Sequence, residues 1–396
     1  MAEILSGIKV LDLTRVASGP WCTQLLADMG ATVIKVERPG SGDDSRSFRP
    51  SVDGYEQLSA FFLALNRGKQ SITIDISTPE GAELVRELAR GCDVMVENYK
   101  AGSLVKHGLD YETMRAASPE IIYCSITGFG QTGPSARQPA YDSILQAIAG
   151  HMSLCGDPDG EPMRTAINVT DLTTGYCAAV AILGALIHRI RTGEGQFIDA
   201  AMLDTSVALT AQFASGYLTT GEVVSRAGNR APNTFPSGVF HAEDGDMVIV
   251  CGNDRQFRSL ASALGRPELA DDARFATNRA RRQHHADLSL QMNEVLGARS
   301  VAHWAAILDE AGIPNAVINT IDQVFEHPQV RHRKLRRDVA QADGRTLPTV
   351  RSPLNFSRTP AIDGPTPALG AHTESVLRAI GKSDGEISRL RARGAI

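Results

Sequence analysis

The chain lacks an excess of basic residues. Its 396 residues include 40 Lys and Arg against 45 Asp and Glu, which gives a formal net charge of −5. A general nucleic-acid-binding protein ordinarily carries a basic surplus, so this balance argues against that class. It leaves room for a local basic pocket that holds one anionic ligand. At roughly 100–200 residues per domain, the length predicts two or three domains.

Cysteines are few, and long apolar runs are missing. The six cysteines are scattered and include no CxxC pair, which is typical of reduced cytosolic thiols rather than a disulfide framework or a zinc site. The first residues, MAEILSGIKVLDLT, lack a basic region followed by an apolar run, so we expect no signal peptide. The most apolar stretch, Tyr176 to Ile187, is expected to be too short and too rich in alanine to span a bilayer. We therefore expect a cytoplasmic protein that does not enter a membrane.

Short β-rich runs alternate with helical runs over the first two hundred residues. Strands are predicted at Ile8–Leu13, Thr32–Glu37, Ser71–Ile76, Asp93–Glu97, Glu120–Ile126 and Gln196–Ala201. Helices are predicted between and after them, at Trp21–Met29, Pro79–Ala89, Asp171–Arg191 and about 204–218. This α/β alternation indicates a mostly parallel sheet with helices on both faces.

The character of the sequence changes near Gly221. A loop-like segment is followed by these predicted elements: a hairpin at Val239–Cys251 and helices at Phe257–Leu264 and Val301–Ala311. Prolines then recur between positions 348 and 367, which indicates an extended crossing before a helix from about Thr373. We predict a large domain formed by residues 1–224 and 326–396, and a small domain formed by residues 225–325.

The segment Gly128–Gly133 (GFGQTG) matches the GxGxxG pattern and follows a predicted strand. A dinucleotide site requires a helix that starts inside this motif, and Pro134 and Pro139 prevent one. We interpret the segment as a tight turn or as a mobile loop that covers a site, because glycine permits both. The sequence has no GxxxxGK[ST], HExxH or GxSxG motif, so phosphate-loop, zinc-enzyme and serine-hydrolase hypotheses lack support.

Asp171 precedes a strongly apolar helical run. An aspartate in this place commonly caps the free N–H groups at the start of a helix. Tyr141 and Asp142 lie about thirty residues earlier, a pattern typical of a turn with a buried aromatic ring. Four cations of the sheet-rich half have solvated surface charge as their ordinary expectation: Lys35, Arg38, Lys69 and Lys106.

Six segments carry a family resemblance: Leu11–Pro20, Gly30–Pro39, Asp93–Asn98, Gly128–Pro134, Arg191–Gln196 and Leu369–Glu374. Because these segments occur in order from end to end, the chain resembles the class III (CaiB/BaiF-type) CoA transferases. That group includes formyl-CoA:oxalate and carnitine CoA transferases. The resemblance implies a large domain with a Rossmann-like parallel sheet, a smaller α+β domain and an interlocked, ring-like homodimer.

The resemblance also implies roles for individual residues. Asp171 stands at the position of the family's nucleophile, which reacts through an aspartyl mixed anhydride and an aspartyl-CoA thioester. CoA is implied as a co-substrate, with no permanently bound cofactor and no metal. We expect backbone N–H groups of the Gly-rich turn and of the start of the Asp171 helix to stabilise the oxyanions. The implied CoA contacts are Val16, Ala17, Arg38, Ile74, Asp75, Asn98, Tyr99, Lys106, Tyr141 and Asp142.

Departures from the formyl-CoA transferases bear on the substrate. The segment Asn229–Ser237 lacks their glycine run, Ala17 stands in place of a glutamine, and Pro139 stands in place of a lysine. We therefore expect succinyl-CoA as donor and a C4–C6 dicarboxylate, such as itaconate, mesaconate, malate or glutarate, as acceptor. A free carboxylate needs a cation, and the arginine fork suits it. The candidate arginines are Arg15, Arg46, Arg49, Arg137 and Arg230.

Three alternatives stay open. An α-methylacyl-CoA racemase of the same fold uses a histidine about thirty residues before its aspartate, where this chain has Tyr141. The ordinary tyrosine pKa of ~10 makes that side chain a poor base at neutral pH. A formyl-CoA:oxalate-type transferase and a non-catalytic CoA-binding protein are the others, and Asp171 argues against the last. Each alternative keeps small molecules as partners and excludes nucleic acid.

Overall fold

Residues 3–396 are described by a computed structural model, in which the chain divides into two units. Unit 1 comprises the described residues up to His151 together with Thr165–Thr219 and Gln329–Ile396, and unit 2 comprises Met152–Arg164 and Thr220–Pro328. The assignment of residues 225–325 to a small functional domain stays a prediction.

The strands of residues 3–396 are short, as is usual for a parallel sheet covered by helices. They are β1 (Lys9–Asp12), β2 (Thr32–Glu37), β3 (Gln70–Thr73), β4 (Val94–Glu97), β5 (Ile122–Thr127), β6 (Phe197–Ala201), β7 (Ser237–Ala242), β8 (Gly245–Val250), β9 (Asn315–Val317), β10 (Arg336–Ala340) and β11 (Thr346–Val350).

The helices fall between these strands and at the end of the chain. They are α1 (Ser18–Asp28), α2 (Ala60–Leu65), α3 (Pro79–Ala89), α4 (Tyr111–Ala117), α5 (Asp142–Ile148), α6 (His151–Leu154), α7 (Val169–Thr192), α8 (Met202–Leu209), α9 (Ala211–Thr220), α10 (Asp254–Ala263), α11 (Asn278–Gln283), α12 (His285–Leu296), α13 (Val301–Glu310), α14 (Ile321–Glu326), α15 (Pro328–His332), α16 (Thr373–Ala379) and α17 (Asp384–Ala392).

Unit 1 is built on a six-stranded sheet in the order β3-β2-β1-β4-β5-β6. Every neighbouring pair is parallel, with Val10 opposite both Val33 and Val94. The central strands are apolar on both faces because helices cover both, and all of β4 is buried. This confirms the predicted Rossmann-like parallel sheet. The order reverses at β1, where ligands of such sheets bind beyond the carboxyl ends of the strands.

Most predicted elements of unit 1 are present within a few residues of their expected positions. The strand expected at Ser71–Ile76 ends three residues earlier, and the helix expected over 204–218 is two helices, which meet at Thr210. The chain from 128 to 141 has no helix, as the prolines required. An antiparallel hairpin of β10 and β11, in which Arg336 lies opposite Val350, was not predicted.

The apolar stretch from Tyr176 to Ile187, which was expected to be too short to span a bilayer, belongs to a longer helix, α7. It extends over 24 residues, so by length and composition alone it could cross a membrane. Its inner face, which includes Ala178, Ile182 and Leu186, is buried in the core of unit 1 against α1. The alanines allow α1 and α7 to approach closely, because small side chains keep the two backbones near each other. The helix predicted at Asp171–Arg191 is therefore confirmed with bounds that are slightly too narrow, and only one of its faces is buried.

Unit 2 contains an antiparallel sheet in the order β7-β8-β9. The predicted hairpin is confirmed, since β7 and β8 are joined at residues 243–244. Alternate residues of β8, Met247 and Ile249, are fully buried and pack with Phe257 of α10 and Leu308 of α13. The two-residue repeat of the strand and the 3.6-residue repeat of the helices thus place their apolar side chains in one common core.

The α1–α7 contact yields a prediction with an internal control. A Cβ added at Gly175 would lie 2.7 Å from the carbonyl oxygen of Ser18, whereas one added at Gly184 of the same helix meets nothing within 4 Å. We expect Gly175→Ala to lower the thermal unfolding midpoint, because the clash forces the two helices apart. We expect Gly184→Ala to raise it slightly, by the gain of about 0.5–1 kcal/mol that alanine gives over glycine in a helix. Equal effects of the two substitutions would contradict the packing described.

Candidate active site

The loops that follow β1, β2, β4 and β5 meet with the start of α7 around a cavity of about 350 Å³. Because the strands are parallel, their carboxyl ends share one edge of the sheet, and the loops after them lie side by side. The residues of this cavity include Arg15, Val16, Ala17, Ser18, Asp44, Asn98, Tyr99, Lys100, Gly128, Gln138, Tyr141, Asp171 and Met202. We call this space the Asp171 cavity.

Asp171 is mostly buried in the first turn of α7. Burial and the neighbouring Asp142 carboxyl raise the pKa of Asp171 to about 6, against the opposing effect of a hydrogen bond with Ser18. A carboxylate that few donors solvate is a better nucleophile than one in water, provided that it stays ionised. At pH 7 the ionised form of such a group predominates.

Asp142, and not Asp171, caps helix α7. One oxygen of Asp142 accepts hydrogen bonds from the N–H groups of Thr170 and Asp171, at 2.8 and 3.2 Å. The other accepts one from the side-chain amide of Gln146 at 2.5 Å. The expectation that Asp171 caps its own helix is therefore wrong, and its carboxylate is left for the cavity. The buried ring expected at Tyr141 is also wrong, since that side chain is 74% exposed.

The start of α7 does not supply oxyanion donors. Val169 N–H donates to the carbonyl of Ile167 at 2.7 Å, Leu172 N–H donates to that of Asn168, and Asp142 takes the two N–H groups between them. The first turn of α1, by contrast, begins at Ser18 without a side-chain cap. Pro20 has no N–H, and the Trp21 N–H donates to the Ala17 carbonyl oxygen at 2.9 Å. The N–H groups of Ser18 and Gly19 are therefore the ones that the first turn of α1 leaves uncapped beside the cavity.

The turn between β1 and α1 is held in a strained conformation. Val16 has φ 66°, in the left-handed region that a β-branched residue rarely adopts. The N–H of Val16 donates to Asp43 at 3.1 Å. The side-chain amide of Asn98 accepts a hydrogen bond from the main-chain N–H of Arg15 at 2.9 Å and donates one to the carbonyl oxygen of Arg15 at 2.8 Å. Such strain costs about 1–3 kcal/mol and persists only where the surroundings enforce it.

Buried charges support this turn from below. The ammonium group of Lys35 donates to the carbonyl oxygen of Thr14 at 2.7 Å and to Asp43 at 3.0 Å. Lys69 donates to Asp12 at 3.1 Å, and all four charged side chains are almost fully buried. The expectation of solvated surface charge is therefore wrong for Lys35 and Lys69. Their partners, which no linear motif identifies, come from different strands and loops.

A second cavity, of about 430 Å³, adjoins the first through the shared residues Arg15 and Tyr99. The Arg15 guanidinium lies 5.2 Å from the centre of the Tyr99 ring. Arg38 and Lys106 line this cavity, and within residues 3–396 neither forms an ion pair. The buried hydroxyl of Ser103 has no hydrogen-bond partner there. Unpaired cations and a free polar atom suit a ligand that carries phosphates.

The predicted CoA contacts divide between the two cavities. Five of them line the Asp171 cavity: Val16, Ala17, Asn98, Tyr99 and Tyr141. The second cavity is lined by Tyr99 again, with Arg38, Ile74, Asp75 and Lys106. Asp142 lies behind the first cavity as the cap of α7. Sequence reasoning missed Ser18, whose place next to Ala17 in a matching segment was the signal available.

The five candidate arginines are not equivalent. Arg15 lines both cavities, whereas Arg46 is buried in a two-pronged ion pair with Glu37 and is not available to a substrate. Arg49 and Arg137 are exposed and line neither cavity. Arg230 lies in unit 2, where it lines a cavity of its own. Among residues 3–396, no cluster of His, Cys, Asp and Glu suits a metal ion.

Comparisons with known proteins place this geometry in context. The model of CoA-transferase family III matches residues 5–373. The chain is 46% identical over 378 residues to a succinate–glutarate CoA-transferase of Agrobacterium fabrum, with 94% of each chain covered. It is 37% identical to a succinyl-CoA:glutarate CoA-transferase of Homo sapiens, over 99% of this chain and 90% of that one. A solved CAIB/BAIF family protein from Brucella suis matches with a TM-score of 0.88 and 42% identity, over 96% of this chain and 100% of that one.

The contact between the two carboxyl groups predicts a shift that can be measured. Asp142→Asn removes the charge beside Asp171, so the pKa of Asp171 is expected to fall while it stays above the ordinary value of 3.8, because burial remains. Titration of ¹³C-labelled aspartate by NMR measures it, with Asp171→Asn to assign the signal. An unchanged pKa in Asp142→Asn would show that burial alone sets it.

Proposed function

We propose that this chain, which belongs to CoA-transferase family III, transfers CoA from succinyl-CoA to a dicarboxylate acceptor. Glutarate is the first candidate acceptor, since relatives named for it match nearly the whole chain. Mesaconate is the second, because a succinyl-CoA:mesaconate CoA-transferase of Haloarcula hispanica is 40% identical. The observation that carries the proposal is the placement of Asp171 and Arg15 in one cavity.

The reaction begins with the Asp171 carboxylate. It attacks the thioester carbonyl of succinyl-CoA, breaks the C–S bond and forms a mixed anhydride while CoA leaves as a thiolate. The thiolate attacks the Asp171 carbonyl of this anhydride, releases succinate and leaves CoA joined to Asp171 as a thioester. In each step a nucleophile replaces a leaving group at an acyl carbon. No oxidation state changes, so neither an oxidant nor a reductant is needed.

The second half of the reaction runs the same steps in the opposite direction, with the acceptor dicarboxylate in place of succinate. The acceptor carboxylate attacks the aspartyl thioester, which forms a second mixed anhydride and frees the thiolate. The thiolate then attacks the acceptor's acyl carbon, which yields the new acyl-CoA and restores the Asp171 carboxylate. Holding thiolate and anhydride in one cavity makes these steps effectively intramolecular.

The walls of the cavity suit this chemistry. The uncapped N–H groups at the start of α1 stabilise the tetrahedral oxyanions, in place of the occupied donors of α7. Arg38 and Lys106 hold the phosphates of CoA in the second cavity. Arg15, between the two cavities, pairs with the free carboxylate of a dicarboxylate through its planar fork. CoA is thus a co-substrate that enters and leaves.

The racemase alternative finds less support in this geometry. Its base would stand at Tyr141, whose side chain is 74% exposed to solvent in the structure. His151, the nearby imidazole, contacts the carbonyl oxygen of Ser206 at 2.8 Å and does not line the Asp171 cavity. The imidazole is therefore not placed to accept a proton from a substrate in that cavity.

Two further parts of the proposal concern assembly and location. Val180, Ile187 and Ile190 lie along one exposed face of α7, with exposed fractions of 68%, 52% and 80%, and Leu218 of α9 is 80% exposed. Apolar faces of this kind mark interaction surfaces, which supports the interlocked homodimer that the resemblance implies. The six free cysteines support a reducing, cytoplasmic location.

The transfer reaction is tested with purified protein, succinyl-CoA and a panel of carboxylic acids, read by mass spectrometry of the CoA esters. We expect glutaryl-CoA or another dicarboxyl-CoA to form, and Asp171→Asn to reduce its rate by more than about a thousandfold. Asp53→Asn, an exposed carboxyl outside the cavity, serves as the control with unchanged rate. Transfer that survives in Asp171→Asn, or that none of the dicarboxylates supports, would overturn the proposal.

The dimer is tested by light scattering on a sizing column. We expect a mass twice that of one chain, and a shift to monomer in the double variant Ile190→Glu with Leu218→Glu, because buried charges oppose association. Ile4→Glu, at an exposed apolar residue outside this face, should leave the mass unchanged. A monomeric wild-type protein at assay concentration would rule out the assembly.

A further inference from the structure

Glu97 is a buried carboxyl group at the end of β4 that the transfer reaction above does not use. Its side chain accepts a hydrogen bond from the N–H of Tyr99 at 2.7 Å and another from the hydroxyl of Ser125 on the neighbouring strand. A buried acid costs stability unless its interactions repay that cost. Its position therefore calls for an explanation beyond packing.

On one side, Glu97 is connected to the Gly-rich turn. The side-chain amide of Gln131 donates to the Ser125 hydroxyl at 2.7 Å, and the Gln131 N–H donates to Asp199 at 3.0 Å. Gln131 lies within Gly128–Gly133, and Gly128 lines the Asp171 cavity. A continuous set of hydrogen bonds thus extends from Glu97 through Ser125 to Gln131, which lies in the same turn as Gly128 of the cavity wall.

On the other side, Glu97 is connected to the strained turn after β1. It fixes the main chain at Tyr99, next to Asn98, whose amide clamps both main-chain groups of Arg15. Arg15, Asn98 and Tyr99 all line the Asp171 cavity. One carboxyl group therefore supports two walls of the site without touching the reacting atoms.

The surroundings of Glu97 place its titration near neutrality. Burial raises its pKa to about 7, although the hydrogen bonds from Ser125 and Tyr99 oppose the shift. Burial also raises the pKa of the other titratable groups that face it, Tyr99, Tyr123 and the Cys124 thiol, so these are neutral at pH 7. The charged residues of the small cavity beside it are Lys100, Asp110 and Glu112.

Protonation changes what Glu97 can do. The carboxylate only accepts, so Ser125 donates to it and accepts from Gln131. Protonation gives Glu97 a hydrogen to donate and weakens the hydrogen bond that it accepts from Ser125. When Glu97 donates to the Ser125 oxygen instead, the Ser125 hydrogen loses its acceptor. Because leaving a buried donor unpaired is costly, the hydroxyl reorients, and its contact with Gln131 weakens.

We propose that Glu97 is a positioning residue for CoA transfer: ionised, it holds the Gly128–Gly133 turn against the Asp171 cavity through Ser125 and Gln131, and protonated, it releases that turn. The kinetic part of this inference rests on the proposed function, whereas the ordering of the turn does not. Glu97 acts on the reaction only through the walls that it supports.

The kinetic test compares pH profiles of kcat/KM. In the wild type we expect two falls as pH decreases, one near 7 from Glu97 and one near 6 from Asp171. Glu97→Gln mimics the protonated form, so it should lose only the fall near 7 and be about tenfold slower at pH 8, as one lost hydrogen bond allows. Glu112→Gln, a carboxyl of the same small cavity, is the matched control with both falls intact.

A double-mutant cycle tests whether the residues act as one chain. Gln131→Leu alone should match the rate loss of Glu97→Gln, and the double variant should lose no more than either single one. Gln131 is partly exposed on a turn, so its substitution keeps the test informative if Glu97→Gln fails to fold. Additive losses would overturn the proposed connection.

Hydrogen exchange without substrate separates this inference from the proposed function. After correction for intrinsic rates, the amides of 128–133 should lose protection below pH 7 in the wild type but show no pH step in Glu97→Gln. A step that persists in Glu97→Gln would overturn the role of Glu97 even if CoA transfer is confirmed. A Glu97-dependent step in a protein that transfers no CoA would overturn the proposed function and leave the ordering of the turn supported.

Discussion

The buried ion pair between Lys35 and Asp43 holds the turn on which the Asp171 cavity depends. Both side chains are almost fully buried, and each also binds main-chain atoms of that turn, Lys35 at Thr14 and Asp43 at Val16. Removing one partner of such a pair costs about 3–5 kcal/mol, because the other charge is left buried and unpaired. The strain at Val16 is therefore tolerated, and Ala17 and Ser18 are fixed beside Asp171.

Burial tends to raise the pKa of the carboxyl groups at this edge of the sheet, and a nearby cation can offset that rise. Burial alone would raise the pKa of Asp43, but Lys35 and the hydrogen bonds from Ser45 hold it down at about 2. Among residues 3–396, no cation offsets the burial of Asp171. The like charge at Asp142 adds to the effect of burial and a hydrogen bond with Ser18 opposes it, so the pKa of Asp171 rises to about 6. The same physical effect thus leaves the Asp43 carboxyl strongly acidic in an ion pair and makes the Asp171 carboxyl a much weaker acid.

The sheet was predictable from the sequence because its signal is local. Apolar strands separated by helices of ordinary length require a parallel sheet, and Thr32–Glu37 and Pro79–Ala89 lie within their predicted bounds. The β10–β11 hairpin was not predictable, since Pro348 and the polar residues at 336–350 are equally typical of a linker. The length of α7 was underestimated because its polar first and last turns lack an apolar pattern.

The site was only partly predictable, because it depends on contacts between distant segments. The resemblance pointed to Asp171, Arg38 and Lys106, and the need of a free carboxylate for a cation gave Arg15 as one of five candidate arginines. The structure places these four residues around two adjoining cavities. The resemblance could not show that Arg46 is sequestered by Glu37, or that Asp142 rather than Asp171 caps α7. These outcomes depend on which charges meet after folding, which no single segment encodes.

In the mechanism that we propose, CoA becomes covalently joined to Asp171 during turnover. The most direct measurement is mass spectrometry of the proteolytic peptide that contains Asp171, after brief incubation with succinyl-CoA and acid quenching. The account predicts a CoA thioester on Asp171 that disappears when a dicarboxylate acceptor is added. Rapid CoA transfer with an Asp171 peptide that stays unmodified at every time point would contradict it.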